Sequence, residues 1–82
     1  MLHEVTRDLS GDVLVKALSK LGYVIDHQTG SHIRLTTQEN GEHHITIPNH
    51  SPIKIGTLSA ILRDVENHFN FTRDECLTRL FE

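Results

Sequence analysis

The stretch SHIRLTTQENGEHHITIP, residues 31–48, decides the fold, because it reads as two strands joined by a short turn. Ile33 and Leu35 alternate with His32, Arg34 and Thr36, and Ile45 and Ile47 alternate with His44 and Thr46. Alternation of this kind puts one apolar and one polar face on each strand. The Asn40-Gly41 pair invites a two-residue hairpin, but that turn would set Leu35 opposite Thr46 and Glu39 opposite Glu42. A three-residue loop, Glu39-Asn40-Gly41 with Gly41 left-handed, sets Leu35 opposite Ile45 and Ile33 opposite Ile47. One face has to be buried, so the second register is expected. His32, Arg34, Thr36, His44 and Thr46 then share the opposite, wetter face.

Outward from this hairpin, Tyr23–Gln28 reads as a third strand, broken from its neighbour at Thr29-Gly30. Strict alternation there places Tyr23, Ile25 and His27 on one side and Val24, Asp26 and Gln28 on the other, with the Asp26 side facing water. Before it, Ser10 serves as an N-cap and Val13, Leu14, Ala17, Leu18 and Leu21 recur at helical spacing over residues 11–21, with Gly22 as the stop. After the loop Asn49–Ile55, Leu58, Ile61, Leu62 and Val65 mark a helix over 57–67, or one beginning a turn earlier. Thr72 and Glu75 form a capping-box pattern, with Phe71 and Cys76 at the staple positions. They open a last short helix over 73–81 that is expected to bury Leu77, Leu80 and Phe81. The order α-β-β-β-α-α predicts an α+β sandwich, a three-stranded antiparallel sheet with helices on one face.

The 82 residues allow one domain with a small core, and exclude a large multi-site enzyme. Eight Lys and Arg against eleven Asp and Glu give a net charge of −3, which argues mildly against nucleic acid. The acidic residues gather toward the ends, Glu4, Asp8 and Asp12 on one side and Asp64 to Glu82 on the other. Five of the seven histidines lie between His27 and His50, and histidines add positive charge as pH falls toward about 6.5. A lone cysteine, Cys76, in an apolar stripe reads as core and fits a reducing cytoplasm. The N-terminus lacks the apolar stretch of a signal peptide and no segment is long enough to span a membrane. His43 and His44, as strand neighbours, point to opposite faces and cannot chelate together, so no metal site is expected.

The chain resembles the HicA (YcfA-like) family of toxins from bacterial toxin–antitoxin pairs. The matching residues run from Ser10-Gly11 through Leu21-Gly22-Tyr23, Gln28, Gly30-Ser31-His32, Ile47-Pro48 and His50 to Lys54-Ile55-Gly56-Thr57-Leu58 and Ile61-Leu62-Arg63. The resemblance covers about residues 10–63 and implies a fold similar to the double-stranded-RNA-binding domain. It also implies metal-independent cleavage of mRNA without a cofactor, one essential histidine in the Gly-Ser-His motif, and neutralisation by a HicB-like antitoxin. The histidine that matches is His32. Where the family usually carries basic residues this chain has His27 and Thr29, and where a second histidine commonly follows the motif it has Ile33.

RNA carries its own nucleophile. An imidazole beside a 2′-hydroxyl takes its proton, the oxygen attacks phosphorus, and a 2′,3′-cyclic phosphate and a free 5′-hydroxyl result. In this reading His32 is the base. Gly30 and Ser31 let backbone or hydroxyl approach the substrate, and Arg34 and Lys54 hold phosphates, Lys54 beside the N-terminal amides of the second helix. His50 is the second candidate proton carrier. The acidic balance motivates an alternative in which the same fold is a non-catalytic RNA- or protein-binding module.

Overall fold

A computed structural model describes residues 9–82, so the expectations placed on Glu4, Asp8 and the N-terminal stretch lie outside the described residues. The element order is α1 (Gly11–Leu18), a 3-10 turn (Ser19–Leu21), β1 (Val24–Thr29), β2 (His32–Thr37), β3 (His43–Pro48), α2 (Ile55–Phe69) and α3 (Arg73–Phe81). The three strands form one antiparallel sheet in the order β1-β2-β3. Ile33 faces Ile47 and Leu35 faces Ile45, the register that buries one face. Gly41 takes a φ of 96° as that loop requires, and Asn40 beside it is also left-handed, at 58°. On the buried face Ile33, Leu35, Ile45 and Ile47 join Leu14, Leu18 and Leu21 and the α2 residues Leu58, Ile61, Leu62 and Val65 in one core. The other face stays open, with His32, Arg34, His44 and Thr46 exposed.

Helix ends follow local chemistry. Ser10 Oγ accepts from the Val13 N–H, and Gly22 closes the 3-10 turn at a φ of 83°. The expected helix over 11–21 therefore splits into α1 and a tighter last turn. Val13, expected in the core, is 48% exposed, at the rim of the apolar stripe. α2 takes the earlier start, with Lys54 as its N-cap, and ends at left-handed Asn70. In α3 the capping box is complete: Thr72 Oγ1 accepts from the Glu75 N–H and the Glu75 carboxylate accepts from the Thr72 N–H. Cys76 and Leu80 are buried there, whereas Leu77 and Phe81 are only partly covered, because α3 lies at the margin of the core.

Strict alternation fails in β1. Val24 and Ile25 pair with Thr36 and Leu35, but His27, Gln28 and Thr29 pair with Arg34, Ile33 and His32. One extra residue, Asp26, sits between the two registers as a β-bulge. His27 thereby shares the open face with Arg34, and not the side of Ile25 as expected. Gln28 crosses to the side of Ile33.

Two acids are held protonated by the interior. Burial, and secondarily the Glu66 charge, pushes the Cys76 thiol up to about 11, with Arg73 pulling the other way. Burial and then Asp64 push the Tyr23 hydroxyl well above the usual tyrosine range. Tyr23 donates to His43 Nδ1 at 2.7 Å, and His43 Nε2 meets Asp64 at 3.3 Å. Both groups keep their protons longer folded than unfolded, so their contribution is fully present below the unfolded values and is lost as pH rises through the folded ones. The urea midpoint is expected to hold steady to about pH 8.5 and to fall by pH 11, with Cys76 contributing roughly 2–3 kcal/mol of the loss. A midpoint flat to pH 11 would contradict the burial of these groups.

Candidate functional site

The β1–β2 connection is a two-residue hairpin in which Thr29 pairs with His32 across Gly30 and Ser31. Gly30 has a φ of 54°, the positive angle that the first central residue of such a turn demands. His32 is thus the first β2 residue after the turn, on the open face and opposite Pro48 of β3. Past Pro48 the chain leaves the sheet in a loop held by three backbone hydrogen bonds. The Asn49 N–H donates to the Ser31 carbonyl at 2.6 Å, the Gly11 N–H to the His50 carbonyl at 3.0 Å, and the Ile53 N–H to the Leu9 carbonyl at 2.7 Å. Gly11 has to be glycine for this docking: a Cβ there would stand 2.9 Å from the Pro48 carbonyl oxygen and 3.0 Å from Asn49 Cα.

The pinned loop brings sequence-distant groups together. A cleft of about 390 Å³ is lined by His32, Thr46, Pro48, His50, Lys54 and Thr57. Three of the residues singled out from the sequence, His32, His50 and Lys54, therefore share one concavity. Among the described residues none of these three side chains has a hydrogen-bond or ion-pair partner, so their nitrogens stay available to a ligand. Lys54, Ile55, Gly56 and Thr57 form the first turn of α2, which has no side-chain cap. The N–H groups of that turn have no partner within the helix, and the positive end of the helix dipole lies against the cleft.

Other expected site residues fall elsewhere. Gly30 and Ser31 form the turn before His32 and are exposed, and the Ser31 carbonyl is committed to the loop. Arg34 is on the open face but does not line the cleft; its Nε stands 3.8 Å from Asp26 Oδ1. His43 and His44 do point to opposite faces. His43 meets Tyr23 and Asp64 and stacks on His68 at 4.3 Å. His44 engages Thr36 and Glu42 on the open side. No group of three or more His, Cys, Asp or Glu side chains among the described residues is gathered so as to hold a metal ion. No described helix is long and apolar enough to cross a membrane.

The family model of the HicA toxin of bacterial toxin–antitoxin systems matches residues 11–66, more than half of the chain. The chain belongs to the HicA toxin family. Membership in this toxin family implies an antitoxin partner. No curated protein and no solved structure gives a significant match. The matched span of this HicA toxin runs from the first residue of α1 into α2, and so contains every residue that lines the cleft.

A contributor to the site was missed by sequence reasoning. Thr57 lines the cleft as the third residue of α2; the earlier helix start would have placed it in the first turn beside Lys54. Asp26 faces water as alternation expects; what the bulge moves is His27, which joins Arg34 on the open face.

Proposed function

We propose that this HicA toxin is an endonuclease acting on mRNA in the cytoplasm, with His32 as general base, and that a HicB-like antitoxin neutralises it. The observation that carries the reading is the convergence of His32, His50 and Lys54 on one open cleft beside the uncapped first turn of α2. His32 takes the proton of a ribose 2′-hydroxyl, and the oxygen attacks the adjacent phosphorus. The bond to the 5′-oxygen breaks, and His50 returns a proton to that leaving oxygen. Negative charge building on the non-bridging oxygens is met by Lys54, by the N–H groups of the α2 first turn and by the Thr57 hydroxyl. Gly30 and Ser31 keep the backbone low before His32, so that a nucleotide can approach, and the exposed Ser31 hydroxyl is within the reach of such a substrate. Drawn in this way the reaction needs no metal or cofactor, because the nucleophile is the substrate's own hydroxyl. Arg34 on the same face is a phosphate contact only when it is free of Asp26.

The test is incubation of the purified chain with a defined single-stranded RNA and with the same RNA carrying 2′-deoxyribose throughout. Cleavage of the first to 2′,3′-cyclic phosphate and 5′-hydroxyl ends, with the second intact, is the expected result. Cleavage of both, or 5′-phosphate ends, would remove the 2′-hydroxyl mechanism.

A further inference from the structure

The open face of the sheet carries a charged group that the nuclease reading does not use. Asp26, the bulged residue of β1, points outward, where its carboxylate accepts from the Thr36 hydroxyl and stands 3.8 Å from both Arg34 Nε and His44 Nδ1. Thr36 spends its one proton on Asp26, so between Thr36 Oγ1 and His44 Nδ1, 2.7 Å apart, it is the imidazole that donates. His44 Nε2 meets the Glu42 carboxylate at 2.8 Å. Two carboxylates thus sit on the face where Arg34 is the one arginine or lysine among the strand residues of the sheet.

Arg34 would otherwise be well placed for RNA. It lies two residues from His32 on the same strand face and pairs directly with Thr46, which lines the cleft. A strand of RNA leaving the cleft across β2 would bring a neighbouring phosphate to this guanidinium, which can bind phosphate through two parallel N–H groups. Asp26 competes for those groups from within the same sheet.

We propose that Asp26 is a positioning residue that holds Arg34 away from RNA and so limits the affinity of the toxin for its substrate. The proposal rests on the RNA reading above. Asp26 has no cross-strand partner of its own, because the bulge lies between Ile25, paired with Leu35, and His27, paired with Arg34, and its carboxylate reaches both Arg34 and Thr36. Asp26 and Arg34 are both solvent-accessible, at 36% and 50%, so the ion pair is weak enough to be exchanged and strong enough to compete.

The experiment is a double-mutant cycle read by fluorescence anisotropy, with a single-stranded RNA bearing 2′-O-methyl groups so that cleavage does not intervene. Asp26→Asn keeps an acceptor for Thr36 and removes the charge. It is expected to tighten binding about two- to fivefold near 0.1 M salt, and to steepen the slope of log K against log salt by about 0.7, the value for one more phosphate contact on a single strand. Arg34→Ala in the native background should change affinity by less than about twofold, and in the Asp26→Asn background should abolish the gain. Asp26→Ser, which also lacks the charge, should reproduce the gain, and Asp26→Glu, which keeps it, should bind like the native chain. Native chain that binds RNA with no gain in either uncharged variant overturns the proposal and leaves the nuclease reading standing. A gain that persists without Arg34 also overturns it, since Asp26 would then act by repulsion alone. If none of these chains binds RNA, the RNA reading fails and this inference fails with it.

Discussion

Replacing His32 with alanine is expected to slow RNA cleavage by roughly 10²–10⁴-fold, the usual contribution of a positioned acid–base group. The fold should not notice. His32 is exposed and its side chain makes no hydrogen bond among the described residues, and a surface substitution of this kind is usually worth within about 0.5 kcal/mol. Binding of RNA should change little, because Lys54 and the α2 first turn remain. Two histidines on the same face provide the contrast. His27 is held by Thr29 at 2.7 Å and His44 by Thr36 and Glu42, both outside the cleft. Their alanine variants should cleave within a few-fold of the native chain. Rates are measured on one labelled RNA, with thermal melts to show that each variant is folded, and growth on induction reports the same order in cells. Equal cleavage by the native chain and His32→Ala would take the base role away from His32.

How much of this was legible follows from what each residue's signal depends on. The β2–β3 register could be read because burial of one face admits a single answer: any other pairing sets Leu35 or Ile33 against a polar partner. The start of α3 could be read because its capping box is a local pattern, complete within Thr72–Glu75. β1 could not. A bulge adds one residue without changing composition, so His27 and Gln28 appear in the sequence as a continued alternation. Their side chains change faces only through pairing with Arg34 and Ile33 of β2. The start of α2 was open for a different reason. Lys54 is an N-cap without a side-chain acceptor, and the usual Ser, Thr, Asp or Asn marker is missing.

The candidate site divides along the same line. His32 was identifiable as an outward residue from alternation, and as the motif histidine from the resemblance, because both signals are local. That His50 and Lys54 face it is a tertiary fact. It depends on the loop 49–54 being tied back to Ser31, to the α1 amide of Gly11 and to Leu9, and contacts of that range leave no periodicity to read. Arg34 shows the reverse failure. Its position on the face was right, and so was the outward side of Asp26, but that the two meet depends on how β1 pairs with β2.

Adjacent residues of β3 give the sharpest test of the sheet on which the site is built. Ile47 is fully buried opposite Ile33, whereas Thr46, its neighbour, is exposed opposite Arg34 and lines the cleft. Ile47→Ala is expected to cost about 2–5 kcal/mol, since it removes core volume that the surrounding side chains only partly refill. For a chain of this length total stability is roughly 4–12 kcal/mol, so this variant loses a large share of it and part of the population unfolds at 37 °C. Thr46→Ala should stay within about 0.5 kcal/mol of the native chain, and its effect should appear in RNA cleavage instead. Urea unfolding of the two variants separates these outcomes. In the register set by a two-residue Asn40-Gly41 turn, Thr46 would lie opposite Leu35 and the faces of β3 would be exchanged. Thr46 would then be the buried position and the order of the two effects would reverse. Because the same register puts Thr46 on the side of His32, a stability loss at Thr46 with none at Ile47 would dismantle the cleft as well as the sheet.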